Sequence, residues 1–236
     1  MRCNIKKLQK IFSFKENYNK SYSQSGEDII VERILSLMSV GEPSYLDIGA
    51  HDPVMYNNTY LFYEKGSSGV NVEPDPECFL KLASQRPRDV NLNVGVRSHE
   101  GTFNYYVMTS RSLNTFSVAE AKRYESYGKQ KVEQVVKVEV VNVNEILSEY
   151  FEPGPNFVSL DVEGLEMEIL ESFDFEASRP EVFCIETLTY TEDNTEEKVV
   201  DIIEYMKEMD YIVHSDTYIN TIFVDRESWL KRGANS

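Results

Sequence analysis

The segment Tyr45-Leu46-Asp47-Ile48-Gly49-Ala50 constrains the fold more than any other part of the chain. In it, an apolar strand leads directly into an acid and a tight Gly-Ala turn. A second short strand, 69–72, ends in Glu73. In an open α/β sheet the carboxyl ends of the strands form the ligand crevice. A glycine there allows the backbone to approach a bound cofactor closely, and an acid at the end of the next strand can bind the ribose hydroxyls of that cofactor. The pair therefore predicts a nucleoside-containing cofactor.

The loop that follows Gly49 indicates which cofactor this is. It reads Ala50-His51-Asp52-Pro53, so the G-x-G-x-x-G sequence that brings a helix N-terminus onto a pyrophosphate is missing. An acid, a single glycine and a distant acid fit S-adenosylmethionine (SAM) better than NAD. Two alternatives stay open: a nicotinamide-dependent oxidoreductase on a similar sheet, and a cofactor-fold protein that binds without turnover.

The charge and composition of the chain argue against several partners. Its 236 residues include 40 acidic and 24 basic ones, for a net charge of −16. Such a surface repels phosphate backbones, so we expect neither nucleic acid nor an anionic membrane as a partner. The sequence has no apolar run of the roughly 18 residues that a membrane span needs. It also lacks a signal-peptide pattern, and its cysteines form no paired set. We therefore expect a cytoplasmic protein, of undetermined oligomeric state.

Alternating strand and helix patterns predict an α/β fold with a doubly wound sheet. Residues 1–20 are polar and basic and predict an N-terminal arm, whereas 21–236 predict a single domain. The last two of the seven predicted strands form a C-terminal antiparallel pair. The predicted strands are 44–48, 69–73, 90–96, 157–160, 182–186, 211–214 and 219–224, and the predicted helices are 23–38, 57–65, 77–84, 166–173 and 195–209.

Residues 101–142 interrupt this alternation between the third and fourth strands. Gly101 begins one β-rich stretch, 132–143 form another, and polar helix-compatible sequence lies between them. The pattern predicts an inserted β-hairpin over the functional edge of the sheet. Because 109–127 show little apolar periodicity, we expect that part to gain little from burial, to be mobile and to form a partial lid on the acceptor site.

Four blocks of sequence resemble the FkbM-type family of SAM-dependent methyltransferases. The blocks, which occur in the family's order over residues 22–190, are Tyr22-Ser23-Gln24-Ser25-Gly26-Glu27-Asp28, Leu46-Asp47-Ile48-Gly49-Ala50-His51-Asp52-Pro53 with Asn58-Thr59, Val72-Glu73-Pro74, and Leu160-Asp161-Val162-Glu163-Gly164. The D-x-E-G block after an apolar strand is the most specific. The chain departs from the family at Pro53, near which another glycine is common. The resemblance implies a Rossmann-like seven-stranded sheet of the class I methyltransferase type.

The resemblance also implies which residues contact SAM. The turn after the first strand would approach the methionyl and ribose part of SAM, and Glu73 would accept hydrogen bonds from the ribose hydroxyls. The end of the third strand would border the adenine. Asn58 and Thr59 open the first helix after the turn, where they either cap it or contact the cofactor. The residues so assigned are Asp47, Gly49, Ala50, Asn58, Thr59, Glu73, Pro74, Asn93, Gly95 and Val96.

Two residues are candidates for the base that removes a proton from the acceptor. Asp161 ends the fourth strand beside the first, where the methyl group of SAM should point, and a positioned base contributes about 10²- to 10⁴-fold to the rate. Asp161 and Glu163 could instead cap the helix that follows. His51 is the second candidate because its ordinary pKa lies near neutrality, although it could bond only to its own backbone.

The acceptor and any metal are less constrained by the sequence. The resemblance implies O-methylation of a hydroxyl, on a sugar of a cell-surface glycan, as in polysaccharide biosynthesis, or of a specialised metabolite. Asp161 and Glu186 could together hold Mg²⁺, but no compact ligand motif supports a metal and none is expected. Four tyrosines of the insertion would suit packing on a sugar face or ordinary packing: Tyr105, Tyr106, Tyr124 and Tyr127.

Overall fold

The computed structural model describes residues 20–191 and 195–233, so nearly all of the predicted N-terminal arm lies outside the described residues. The strands are β1 (Tyr45–Ile48), β2 (Gly69–Val72), β3 (Val90–Leu92), β4 (Gly95–Arg97), β5 (Gly101–Met108), β6 (Val132–Asn142), β7 (Phe157–Leu160), β8 (Val182–Glu186), β9 (Tyr211–Asp216) and β10 (Asn220–Asp225). The α-helices are α1 (Glu27–Leu37), α2 (Tyr60–Glu64), α3 (Pro76–Gln85), α4 (Val118–Ser126), α5 (Val143–Tyr150), α6 (Glu166–Ser172), α7 (Val200–Glu208) and α8 (Arg226–Lys231), and a 3₁₀ turn spans Arg111–Leu113.

The main sheet has seven strands in the order β3-β2-β1-β7-β8-β10-β9. The strands from β3 to β8 pair in parallel, and β10 is antiparallel to both of its neighbours. The chain order changes direction between β1 and β7, and such a switch opens a crevice at the carboxyl ends of the two strands. The predicted α/β sheet with a C-terminal antiparallel pair is confirmed.

The central strands are apolar because both faces of the sheet are covered. Every residue of β1 and of β7 is buried. Alternate side chains of β1 enter two different cores: Leu46 packs in the cluster that includes α5, α6 and α7, whereas Tyr45 packs in the cluster that includes α1. This double burial holds the ends of β1 and β7 at fixed positions for the residues that follow them.

The third predicted strand, 90–96, is two strands. β3 stays in the main sheet, but β4 leaves it and joins a second sheet in the order β4-β6-β5. Gly95 begins β4 at a point of close packing, where an added Cβ would lie 2.3 Å from the ring of Phe116. β5 and β6 pair antiparallel over their length, so the predicted hairpin insertion is confirmed.

Helix boundaries differ from the prediction where polar side chains bind the backbone. α1 and α2 begin at Glu27 and Tyr60, later than the predicted starts at 23 and 57, and α3 begins within one residue of its predicted start. Residues 195–199 precede α7 instead of forming its first turn. Two helices, α5 and α8, were not predicted. α5 follows β6 directly because Asn142, the last residue of the strand, caps it by accepting from the Asn144 amide at 2.9 Å. The β-rich sequence of β6 gives no sign that the strand ends and a helix begins at this point.

The segment 109–127 is better packed than its sequence pattern indicates. Leu113, Ala121 and Tyr124 are buried in a small core with Met108. Ser117 caps α4 by accepting a hydrogen bond from the Glu120 amide at 3.2 Å. The expectation of little burial is therefore wrong, because the apolar residues are few but face one side. Mobility and a lid role for the segment stay predictions.

A buried arginine joins the first three strands of the main sheet to the loop after β1. Arg86 is fully buried; its Nε donates to Asp89 Oδ2 at 2.8 Å, and its Nη1 donates to Asn57 Oδ1 at 3.1 Å. Asp89 also accepts from Tyr45 Oη at 2.8 Å and from Asn71 Nδ2 at 3.0 Å. Because a buried charge is costly without a partner, the guanidinium and the carboxylate fix each other's positions.

Replacing Arg86 with Met should lower the free energy of unfolding by about 3–5 kcal/mol, because Asp89 would stay buried without its cationic partner. Arg88→Met is a matched control: Arg88 is exposed and lies over the ring of Tyr63 at 4.0 Å. The control should cost no more than about 1.5 kcal/mol. Urea unfolding measures both losses, and equal losses would contradict the assigned role of Arg86.

Candidate active site

A pocket of about 700 Å³ opens at the carboxyl ends of β1, β2, β7 and β8. Both candidate bases, His51 and Asp161, line it. Thr59 and Asn93 are not among the lining residues. The residues predicted to bind the cofactor that do line the pocket are Asp47, Gly49, Ala50, Asn58, Glu73, Pro74, Gly95 and Val96.

Gly49 forms the turn at the end of β1 for two reasons. Its φ of +86° lies in the left-handed region that side chains rarely adopt. An added Cβ would also lie 1.8 Å from the carbonyl oxygen of Asp161. The position of this glycine in the sequence predicts that a cofactor approaches it closely. The structure adds a second requirement, the close approach of the chain that follows β7.

Asp47 and Asn57 hold the loop after β1. The buried carboxylate of Asp47 accepts from Thr59 Oγ1 at 2.7 Å and from Asn57 Nδ2 at 3.1 Å, through Oδ2 in both cases. Asn57 Nδ2 also donates to the carbonyl of Ala50 at 3.2 Å. Burial raises the pKa of Asp47, and the nearby Arg86 opposes that shift. Thr59 therefore lies behind the pocket wall, where it supports Asp47.

Asn57, not Asn58 or Thr59, satisfies the amides at the start of α2. Its Oδ1 accepts from the Thr59 amide at 3.0 Å and from the Tyr60 amide at 2.8 Å. Asn58 instead points across the sheet, and its Nδ2 donates to Ser159 Oγ at 3.1 Å. Asn57 was not among the predicted site residues. It lies three residues before the first residue of α2, with Thr59 at the N-cap position, so the usual preference for asparagine at the N-cap does not point to it.

Glu73 is buried at the end of β2 and is bound by backbone amides on both sides. Oε2 accepts from the His51 amide at 2.8 Å, and Oε1 accepts from the Asp75 amide at 2.7 Å. Desolvation raises the pKa of Glu73 to about 7 despite these bonds. Each carboxylate oxygen has a second lone pair, so Glu73 can still accept a ligand hydroxyl while it joins the loops after β1 and β2.

His51 lies in the same turn with a φ of +45°. Its backbone amide donates to Glu73, and its side chain lines the pocket. Burial lowers the pKa of the imidazole, so the neutral form predominates near pH 7. A neutral imidazole at this place has a free nitrogen that can accept a proton or orient a substrate.

One end of the pocket is an apolar slot. Val94, Gly95 and Val96 form one wall, and Tyr105 and Phe116 from the insertion contribute to the lining. The two rings pack with their centroids 4.6 Å apart. The apolar residues of this wall offer a nucleobase a surface to pack on, beside Glu73, which can accept from a ribose. Asn93 stands behind this wall, where its Nδ2 donates to the backbone carbonyl of Glu73 at 2.8 Å.

Three carboxylates meet on the opposite side of the pocket. Asp161 at the end of β7, Glu163 just after it and Glu186 at the end of β8 have carboxylate oxygens within 4.8 Å of one another. Desolvation raises the pKa of Asp161 to about 6 and raises those of Glu163 and Glu186 well above their usual values. A hydrogen bond between Asp161 and Glu186 opposes the shift of Asp161 and adds to that of Glu186. Of these two acids, Glu186 is therefore the one that holds a proton more readily.

Neither Asp161 nor Glu163 caps the helix that follows. The residue before α6, Leu165, makes no side-chain capping bond. The loop amides are bound instead by Glu166, whose Oε1 accepts from Val162 at 2.9 Å and whose Oε2 accepts from Gly164 at 3.1 Å. The helix-cap alternative is therefore not supported by the structure. The three carboxylates also offer the oxygen donors that Mg²⁺ prefers, and independence from a metal stays a prediction.

The insertion is fastened to both sides of the pocket. Arg111 and Asn114 bind Asp75 Oδ2 after β2, the asparagine at 3.0 Å. On the other side, Tyr124 Oη donates to Glu163 Oε2 at 2.7 Å, and Thr115 Oγ1 donates to the carbonyl of Glu163 at 2.8 Å. These bonds place the 3₁₀ turn against the pocket and orient Glu163, which has a φ of +55°.

Of the four tyrosines that the sequence indicated, Tyr105 is the one among the residues that line the pocket. Tyr105 lines the apolar slot but is buried, and Tyr124 is buried in the small core of the insertion. Tyr106 and Tyr127 are not among the lining residues. Three other tyrosines line the pocket on the side of the acids: Tyr56, Tyr190 and Tyr218. Nothing in the local sequence distinguishes these three, because they lie in loops that only the fold brings together.

The helices of residues 20–191 and 195–233 include none with the length and apolar character needed to cross a membrane.

Comparisons with solved structures give low similarity scores. A TehB-like SAM-dependent methyltransferase from Corynebacterium glutamicum has 9% identity and a TM-score of 0.44, over 94% of this chain and 97% of that chain. A 1,6-didemethyltoxoflavin-N1-methyltransferase from Burkholderia thailandensis, with bound 1,6-didemethyltoxoflavin and S-adenosylhomocysteine, has 11% identity and a TM-score of 0.44, over 86% and 79%. The 16S rRNA methylase ArmA has 11% identity and a TM-score of 0.40, over 95% and 100%.

Comparison with protein families is more specific. No curated protein matches the chain. A model of the methyltransferase FkbM domain matches residues 47–213, well over half of the chain. The matched region contains the turn at Gly49, the acid Glu73 and the carboxylate Asp161. This match favours a SAM-dependent methyltransferase over the nicotinamide-dependent oxidoreductase that the sequence left open. The chain belongs to the FkbM family of SAM-dependent methyltransferases.

Proposed function

We propose that this protein transfers the methyl group of SAM to a hydroxyl group, on a sugar of a cell-surface glycan or of a specialised metabolite. The observation that carries the proposal is the position of Asp161: it directly follows β7 in the pocket that Glu73 also lines, and its carboxylate lies within 4.8 Å of those of Glu163 and Glu186. A hydroxyl is a poor nucleophile until its proton is leaving, so its methylation needs a base. A base is most effective when its pKa lies near the working pH.

The residues of one side of the pocket fit SAM. Glu73 ends β2 with acceptor capacity for the ribose hydroxyls, and the apolar slot of Val94 and Val96 accommodates a flat base. The turn at Gly49 and Ala50 brings backbone without a large side chain to the centre of the pocket. All of these parts are fixed by hydrogen bonds within the protein. We infer that SAM binds here with little rearrangement of the loops after β1 and β2.

The acids and the histidine that line the pocket are suited to removing the proton of the acceptor hydroxyl. SAM supplies an electrophilic methyl group, and the acceptor oxygen must face it in line. As the oxygen–methyl bond forms and the sulfur–methyl bond breaks, the hydroxyl proton would pass to Asp161. Glu186, whose carboxylate oxygen lies within 4.8 Å of that of Asp161, would share a proton with it and so help to keep that carboxylate in place. His51 is the alternative base, since its neutral imidazole lines the same pocket.

We extend the proposal to the partners and location of the protein. The acids that line the pocket, together with the net charge of −16, disfavour a nucleic-acid acceptor because phosphate groups would be repelled. The thiols of Cys78 and Cys184 are free and buried, which suits the reducing environment of the cytoplasm. A screen of nucleotide sugars, free glycans and RNA for release of S-adenosylhomocysteine tests this proposal. SAM binding without release from any of them would favour the non-catalytic alternative.

Glu73→Ala should weaken SAM binding by at least about tenfold, or 1.4 kcal/mol, because the ribose hydroxyls would lose their charged acceptor. Calorimetry measures the affinity, and circular dichroism checks that the variant is folded. Glu133→Ala, which removes an exposed acid on β6, is the control for lost charge and should bind SAM normally. Unchanged affinity in folded Glu73→Ala would remove Glu73 from the cofactor site.

Asp161→Asn keeps the size of the side chain and much of its hydrogen bonding but cannot take a proton. It should lose at least about 10²-fold in turnover while binding SAM as the wild type does. Rates of S-adenosylhomocysteine release, with calorimetry on the same samples, separate the two effects. Near-normal turnover would make His51 the leading base.

The pH dependence should identify the base. A carboxylate base works only when deprotonated, so kcat/KM should rise with pH through an apparent pKa of about 6 and then level off. That value belongs to Asp161 and Glu186 together, since their titrations are coupled. The rise should persist in His51→Gln and in the presence of EDTA, and disappear from the residual activity of Asp161→Asn. A profile that changes only in His51→Gln would contradict the assignment.

A further inference from the structure

Two segments outside the matched region 47–213 complete the pocket. Gln24 lines it from before that region, and Tyr218 and Ile219 line it from beyond its end. Gln24 belongs to the Tyr22–Asp28 block, one of the four that resemble the FkbM family, and this block has no role in the chemistry proposed above. Both segments lie on the pocket together with Tyr56, Asp161 and the acids near it.

A buried glutamate joins these two distant segments. Glu27 is fully buried; its Oε2 accepts from the Ser25 amide at 2.8 Å, and its Oε1 accepts from Thr217 Oγ1 at 2.6 Å and Asn220 Nδ2 at 3.2 Å. Desolvation alone would raise the pKa of Glu27, but these hydrogen bonds outweigh it and lower the pKa. The ionised carboxylate therefore fixes the residue after Gln24 to the residues on either side of Tyr218.

The adjacent Asp28 fixes the other side of Gln24. Its carboxylate accepts from Ser21 Oγ at 2.6 Å, the Tyr22 amide at 2.7 Å and Ser23 Oγ at 2.8 Å. Gln24 itself is exposed and makes no side-chain hydrogen bond with any residue in 20–191 or 195–233. Two buried acids thus hold the backbone on both sides of an amide that is available to a ligand.

Two aromatic residues at the pocket have unfavourable backbone conformations. Tyr218 has a φ of +77° and Tyr56 has a φ of +54°. Both rings are largely exposed, 58% for Tyr218 and 70% for Tyr56. A bulky residue with positive φ is a conformational outlier, and strain of this kind tends to collect at functional sites. The Oη of Tyr218 donates to Glu196 Oε1 at 2.6 Å, which orients the ring.

We propose that Gln24 and Tyr218 recognise the acceptor and select a polyhydroxylated ring. The amide of Gln24 can donate to one hydroxyl and accept from its neighbour, which suits the adjacent hydroxyls of a sugar. The ring of Tyr218 offers an apolar face to the C–H groups of that sugar, and its own hydroxyl stays bound to Glu196. Glu27 contacts neither the acceptor nor SAM in this proposal; it holds the backbone beside Gln24 and beside Tyr218 in position. The inference rests on the proposed function and names the acceptor-binding residues of the same pocket.

Two variants test this recognition without disturbing the core. Gln24→Ala removes an exposed amide, and Tyr218→Asn removes the ring but places a residue that tolerates positive φ. Tyr218→Asn should therefore be at least as stable as the wild type. Gln134→Ala, an exposed glutamine on β6 away from the pocket, is the matched control and should leave activity unchanged.

The probes are UDP-glucose, GDP-mannose, dTDP-rhamnose and the methyl glycosides of the three sugars. With the best of these acceptors, each variant should raise the acceptor KM by about tenfold and change the KM for SAM by less than about twofold. An equal rise in both KM values, or an unchanged acceptor KM, would overturn the assignment. If the wild type binds SAM but neither binds nor methylates any probe, the sugar proposal and this inference both fail. If the wild type methylates a probe and both variants keep the wild-type acceptor KM for it, the inference alone fails.

Discussion

The hydrogen bonds of Asn57 hold the loop after β1, and the shape of the pocket depends on that loop. On one side the amide binds Asp47 and the carbonyl of Ala50, and on the other it accepts from Arg86. Arg86 is in turn fixed by Asp89 inside the protein. The cofactor side of the pocket is therefore set by buried groups before any ligand arrives, and a site organised in advance loses less entropy on binding.

The acids that line the pocket differ in what surrounds their carboxyl groups: backbone amides bind one of them, and two others lie beside each other. Glu73 accepts two backbone amides and is fixed, which suits binding. Asp161 and Glu186 have carboxylate oxygens within 4.8 Å of each other, and desolvation and the neighbouring acids raise the pKa of Glu186 well above its usual value, so Glu186 is the more readily protonated of the two. Pairs of this kind are a common way to assign acid and base roles. The same negative charge explains why we expect an uncharged hydroxyl as the reacting group.

The strand-end residues could be predicted because their position follows from a general property of parallel sheets. An apolar strand that ends in an acid predicts where Asp47, Glu73 and Asp161 lie, whatever the details of packing. Asn57 and Glu166 were missed because their role is to bind loop amides, which depends on loop shape. Tyr218 could not be found, because its place in the pocket depends on a contact between Glu27 and residues far along the chain. The break between β3 and β4 could not be predicted either, because residues 90–92 and 95–97 both have strand-like sequence and nothing local shows that they join different sheets.

The central claim is that one pocket holds SAM and a hydroxyl acceptor, with Asp161 facing the reacting oxygen. A crystal structure of the complex with S-adenosylhomocysteine and the acceptor found by screening tests it most directly. We predict that the reacting oxygen lies about 2.6–3.2 Å from a carboxylate oxygen of Asp161, with the ribose hydroxyls bound by Glu73. An acceptor oxygen held by His51 and out of reach of Asp161, or a ribose bound away from Glu73, would contradict the account.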